Sequence, residues 1–139
     1  PTCAYSDVYG KFTLPQLPPD TYNVTVGAHE HAVQTFSCSF LNSTQVLYIP
    51  LLSWRDLLSL SLIEIEANRI EQALAYIEEA ESISPNKTMI DYFKAAVDFK
   101  KGQFDFAQDR LQRTRNQFSA DMIMYVDRLC ELCIQAVQQ

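Results

Sequence analysis

The chain has 139 residues, enough for one ordinary domain or two small ones, and its 47% apolar and 20% charged residues are those of a foldable globular protein. A net charge of −6 and a pI near 4.8 argue against a nucleic-acid groove, which needs clustered lysine and arginine. No apolar run approaches the roughly 18 residues of a membrane span. The chain opens on Pro1 rather than methionine, which reads as a processed or trimmed N-terminus and is compatible with earlier removal of a secretion signal.

Residues 1–50 alternate with period two. Phe12 and Leu14 alternate with Lys11 and Thr13, and Tyr22, Val24 and Val26 with Thr21, Asn23 and Thr25. Phe36, Cys38 and Phe40 alternate with Ser37 and Ser39, and Val46 to Ile49 closes the set. This pattern predicts half-buried antiparallel strands. Ser6–Gly10, Pro18-Pro19-Asp20 and Asn42-Ser43-Thr44 are the expected turns between them.

From Ser53 onward the period is helical. Leu57, Leu58, Leu60, Leu62, Ile63 and Ile65 predict a first helix with Ser53 as its N-cap. Ile70, Ala73, Leu74, Ile77 and Ala80 predict a second, stopped at Ser84-Pro85-Asn86 because proline cannot continue the hydrogen-bond ladder. Tyr92, Phe93, Ala95, Ala96 and Phe99 form a third, ended by Gly102, and Phe104, Ala107 and Leu111 a fourth. Met122, Tyr125, Val126, Leu129, Cys130, Cys133 and Val137 form a fifth. Short connections make these five antiparallel neighbours.

The helices repeat. Asn68, Ile70, Ala73 and Ile77 recur 34 positions later as Gly102, Phe104, Ala107 and Leu111. Together with Ala80 and Pro85, the pattern resembles the tetratricopeptide repeat. Small residues at Ala73 and Ala107 let paired helices approach closely. The resemblance covers residues 53–139, but Thr114 and Ser119 stand where the second unit would have a small apolar residue and a proline. An unrelated helical hairpin bundle would share the same layout.

The first half resembles the carboxypeptidase regulatory-like (transthyretin-like) modules of secreted and surface proteins. The matching stretches are Asp7–Leu14, with its D-x-x-G-x-F-x-L pattern, and Leu17–Val26, where Asp20 replaces the usual turn glycine. The resemblance implies a small antiparallel β-sandwich. It is N-terminally incomplete, because the aspartate-glycine turn normally follows two or three earlier strands. Either an unlisted stretch of the same polypeptide or another chain then supplies the remainder. An open sheet edge is a template for strand addition.

Four cysteines are compatible with disulfides. A Cys3–Cys38 bridge would staple the thin sheet, and Cys130 and Cys133 read as packed or linked cysteines on one helix rather than a redox or zinc pair. Three of the five asparagines begin N-x-T sequons: Asn23, Asn42 and Asn86. Each falls on an outward strand position, a turn or an interhelix loop, where a glycan would disturb no core.

Catalytic residues are not apparent: no nucleophile elbow, triad pattern or glycine-rich phosphate loop is present. His29-Glu30-His31 is the one cluster with metal or acid–base character, and its place after Val26-Gly27 favours an exposed polar turn. The clustered Arg110, Arg113 and Arg115 read as a solvated helix face, as do the glutamates Glu64 to Glu81.

The sequence therefore predicts an α+β chain. An incomplete β-sandwich module (1–50) is followed by a tetratricopeptide-like array of about five helices (51–139). It is expected to be a non-enzymatic, secreted or cell-surface glycoprotein without cofactors. Its expected partners are proteins, other copies of itself above all, joined by intersubunit strand complementation into a filament. The alternative is a monomeric scaffold that binds a peptide in its helical groove.

Overall fold

The computed structural model describes residues 3–14, 17–42 and 45–138. The chain is α+β, with strands β1 (Asp20–Val26) and β2 (Gln34–Phe40) followed by helices α1 (Trp54–Glu66), α2 (Ile70–Ile83), α3 (Lys87–Lys100), α4 (Phe104–Thr114) and α5 (Ala120–Val137). It divides into two compact units. One is Pro1–Gly27 with Val33–Pro50, and the other is Ala28–Ala32 with Leu51–Gln139.

In the first unit β1 and β2 pair antiparallel, in register from Asp20↔Phe40 to Val26↔Gln34. The pleat puts Tyr22, Val24 and Val26 with Phe36, Cys38 and Phe40 on one half-buried face, and the threonines and serines between them on an exposed face. Polar side chains tie the strands across the exposed face. The Thr21 and Ser39 hydroxyls lie 2.8 Å apart and those of Thr25 and Thr35 3.0 Å, while Ser37 Oγ donates to Asn23 Oδ1 at 3.0 Å. On the apolar face Tyr22 and Phe40 meet at 5.9 Å between ring centroids, and the Tyr22 hydroxyl donates to the Pro18 carbonyl at 2.7 Å.

The expected turn at Ser6–Gly10 forms. Asp7 Oδ1 accepts the N–H groups of Tyr9 and Lys11, both at 2.9 Å, and Gly10 takes φ 81°, a left-handed value that suits glycine. Two expected strands do not form: Phe12–Leu14 and Val46–Ile49 stay outside the ladder. Among the described residues the sheet has two strands, and no sandwich is seen. Alternation fixes which face a residue would occupy; it does not bring a second backbone within hydrogen-bonding reach. Ser43 and Thr44 of the third expected turn lie outside the described residues.

The second unit has a packed interior. α1 opens with a capping box: Ser53 Oγ accepts the Asp56 N–H at 3.1 Å, and the Asp56 carboxylate accepts the Ser53 N–H at 2.9 Å. Trp54, Leu57, Leu58 and Ile65 of α1 pack with Ala73, Ile77 and Ala80 of α2 and with Ile90 and Val97 of α3. A second cluster joins Ala95 of α3, Ala107 and Leu111 of α4, Phe118, and Val126, Leu129 and Cys133 of α5. Each helix packs on the next in sequence.

The 34-residue repeat is written into the backbone. Asn68 N–H bonds the Ile65 carbonyl at 3.0 Å and Gly102 N–H the Phe99 carbonyl at 3.1 Å; Arg69 N–H bonds Glu64 and Gln103 N–H bonds Asp98, both at 2.8 Å. Asn68 and Gly102 share the left-handed region, at φ 61° and 78°. Ala73 and Ala107 are both fully buried, and Ser61 of α1 occupies the same buried place as Ala95 of α3. The departures at Thr114 and Ser119 have a physical reading. Thr114 Oγ bonds back to the Arg110 carbonyl at 3.0 Å where α4 ends, a 3-10 turn (Arg115–Gln117) follows, and Ser119 is the N-cap of α5.

Candidate functional site

The first candidate surface is the β unit, whose described residues include none that is buried. Its apolar face is covered only by half, and its two strands have no third neighbour among the described residues. At the outer edge of β2, Gln45 Oε1 accepts the Leu41 N–H at 3.0 Å and Gln45 Nε2 donates to the Ser39 carbonyl at 2.9 Å. One side-chain amide thus occupies the place of a neighbouring strand's peptide group. The sequence pattern did not single out Gln45, because a lone glutamine after a turn carries no periodic signal.

Two of the three sequons are fully described. Asn23 is exposed on β1 and Asn86 is exposed as the N-cap of α3, where its Oδ1 accepts the Met89 N–H at 3.0 Å. In both, the side-chain oxygen is held by the fold while Nδ2, the atom that would bear a glycan, has no hydrogen-bond partner among the described residues. Asn42 is exposed, but Ser43 and Thr44 of its sequon lie outside the described residues.

All four cysteines are free thiols in this structure, so the expected Cys3–Cys38 bridge is not formed and Cys130 and Cys133 are unlinked. Cys3 is exposed and Cys38 half-buried on the apolar sheet face. Cys130 is half-buried and Cys133 buried in the second cluster, and burial pushes both thiols above the usual cysteine range. Raised thiols make poor nucleophiles, and the arrangement is one of packing.

His29-Glu30-His31 forms the expected turn, closed by the His31 N–H on the Ala28 carbonyl at 3.1 Å; the His29 ring is exposed, with its Nε2 3.3 Å from Glu30 Oε1. Glu30, at φ 59°, takes the Trp54 backbone N–H on its carbonyl at 3.2 Å and the Trp54 indole N–H on its carboxylate at 3.3 Å. His31 bridges Ser53, and Ala32 N–H bonds the Leu52 carbonyl at 2.8 Å. The turn is therefore a clasp on the start of α1. A sequence motif could not reveal it, since the partners lie 24 residues apart. Among the described residues, no three His, Cys, Asp or Glu side chains gather as metal ligands.

The arginine cluster corrects the reading of a solvated face. Arg110 pairs with Asp98 of α3 at 3.3 Å, and Arg115 forms a two-pronged pair with Asp127 of α5 at 2.9 Å per bond. The arginine pair holds the Asp127 carboxyl below the usual carboxylate range. Only Arg113, paired with Asp109 on its own helix, fits the solvated description. Two glutamates are likewise engaged, Glu64 by Arg69 and Glu81 by Lys94 of α3.

Within the helical unit, a recess of about 160 Å³ lies between the α2–α3 and α4–α5 connections, lined by Asn86, Thr88, Met89, Gln117, Phe118, Ser119 and Met122. Ligand pockets run from about 300 Å³ upward, so it is too small for an ordinary organic ligand. Among the described residues, every buried side-chain nitrogen and oxygen has a hydrogen-bond partner. Among the described residues, no helix is long and apolar enough to cross a membrane. No protein-family model, curated protein or solved structure matches this chain.

Proposed function

We propose that this protein is a structural subunit that associates with other protein chains, foremost further copies of itself, by adding a β-strand to its open sheet. The observation that carries the reading is the β unit itself: two strands, a half-covered apolar face and no buried residue among those described. A lone two-stranded hairpin is marginal in water, and a third strand or a packed layer is needed to make it stable. An added strand supplies both backbone partners and cover for Tyr22, Val24 and Phe36. The incomplete carboxypeptidase regulatory-like sandwich belongs to the same reading, as the fold that strand addition would extend.

The sequons support a secreted or surface location. Asn23 and Asn86 present a free Nδ2 on exposed backbone, so a glycan at either would leave the core untouched. Sedimentation velocity across a wide concentration range tests association. The expected result is a rise in mass with concentration, and a single monomeric species throughout would refute it. Intact mass before and after glycosidase treatment of protein from its native source tests the sequons; Asn23 and Asn86 are expected to be occupied.

A second reading is favoured by a separate observation. The turn hydrogen bonds that recur at 34 residues, with Ala73 and Ala107 buried at matching positions, support a tetratricopeptide-like array, whose groove would bind an extended or helical peptide. In that case the chain is a monomeric scaffold. The same sedimentation experiment separates the two readings.

A further inference from the structure

The two outer edges of the sheet are not equivalent. The Ser39 carbonyl and the Leu41 N–H face away from β1, because the Gln45 side chain bonds both. By the antiparallel alternation Thr35 and Ser37 then also face outward, and through the register so do Thr21, Asn23 and Thr25. The close side-chain pairs Thr21–Ser39 and Thr25–Thr35 fit this phase, since opposed residues approach most closely where they exchange no backbone bonds.

The edges are blunted to different degrees. Gln45 occupies the C-terminal end of the β2 edge, where a neighbouring strand would run, and leaves only Thr35 and Ser37 open. On β1 the Thr21 N–H is met by the adjacent Asp20 carboxylate at 2.7 Å, a local bond that leaves the flank of the strand clear. Asn23 and Thr25 keep their outward N–H and C=O groups without partners among the described residues. This edge carries neither lysine nor proline, the usual guards against strand addition.

A matching donor lies on the same chain. Val46, Leu47, Tyr48 and Ile49 alternate in burial, are uncharged and β-prone, and make no backbone hydrogen bonds among the described residues. Val46 is 68% and Tyr48 88% exposed, so the segment's outer side is unspent. Pro50 bounds it at a residue that cannot extend a ladder.

We propose that the outer edge of β1 is the strand-accepting edge and that the Val46–Ile49 segment of a second copy is the strand it accepts. This rests on the association reading above and names its partner. Each copy then carries one acceptor and one donor on different surfaces. Such heterologous contacts propagate into a chain unless their rotation closes a ring. Tyr48 or Leu47 of the donor would extend the cover over Tyr22 and Val24.

The test uses the full chain, by sedimentation velocity and residue-resolved amide exchange at concentrations below and above association. Asn23, Thr25 and alternate amides of Val46–Ile49 are expected to exchange fast when dilute and slowly when associated. Thr25→Pro removes an outward N–H and no β1–β2 backbone bond, and the Thr25–Thr35 hydroxyl contact it gives up is lost equally in Thr35→Pro. It should weaken association by about tenfold or more, the scale of a lost edge contact, while the equivalent Thr35→Pro on β2 leaves it unchanged. Protection appearing at Thr35 and Ser37 instead, or an Asn23–Thr25 edge already protected in the dilute monomer, overturns the assignment while association stands. A wild type that never associates overturns both. Should Thr25→Pro fail to fold, wild-type exchange decides alone.

Discussion

The two units use the same alphabet of apolar residues in opposite ways. In the helical unit Leu57, Ile77, Ile90, Leu111 and Val126 are fully buried, in two clusters that tie each helix to the next. In the β unit Tyr22, Val24, Phe36 and Phe40 line a regular face and none is buried. A helix satisfies its own backbone and needs only a stripe covered, whereas a strand needs a neighbour on each side as well as a covered face. Eighty-odd residues of hairpin-linked helices supply their own layers. Two strands cannot, and the proposed strand addition would meet that need.

That contrast predicts unequal responses to truncation. Leu111→Ala, in the helical core, should destabilise its unit by about 3 kcal/mol, read from chemical denaturation followed by helical circular dichroism. A loss under about 1 kcal/mol would mean that the second cluster is loosely packed and the contrast overstated. Next in size is Gly102→Ala. Its Cβ would meet nothing within 4 Å, so the cost is purely that of φ 78°, about 1 kcal/mol, whereas Asn68→Gly at the equivalent turn should be near neutral or slightly stabilising. Equal effects at both positions would break the structural equivalence of the two turns.

Ser53→Ala should cost about 1 kcal/mol through loss of the α1 cap. The bonds from Ser53 hold the Asp56 carboxyl below its ordinary value of 3.8. A lowered folded value means that the carboxylate's contribution is present above 3.8 and fades as pH falls through the folded value. Accordingly the stability difference between wild type and Asp56→Asn should shrink in acid and be constant near neutrality. The smallest effect is expected from Val24→Ala, under about 1 kcal/mol in the monomer because the side chain is half-exposed. Measured above the association concentration, the same substitution should cost visibly more. An identical cost at both concentrations would show that the apolar sheet face is not used.

Much of the helical half was legible in the residues. Ser53 marks a cap, Pro85 a stop, Gly102 a left-handed turn, and the 34-residue recurrence aligns Ala73 with Ala107 at matching buried positions. These are local signals, and helices are local structures. The β half was legible only in part. The Asp7–Gly10 turn and the two strands β1 and β2 follow from pattern, but the strands expected at Phe12–Leu14 and Val46–Ile49 do not join them. The arginines carry the same lesson: Arg110 of α4 and Arg115 of the 3-10 turn after it gain partners on α3 and α5 that spacing along the chain cannot reveal.

By itself, then, the sequence determined the secondary structure of α1 to α5, their turns and the apolar phase of β1 and β2, because caps, breakers and periodicity act within a few residues. Tertiary structure alone decided what each phase meets. It brought Glu30 to the Trp54 indole, set Gln45 against the backbone of β2, and left the β1 edge without a neighbour among the described residues. Those outcomes depend on which backbones approach one another through space, and a strand pattern is silent on that until its partner is in place.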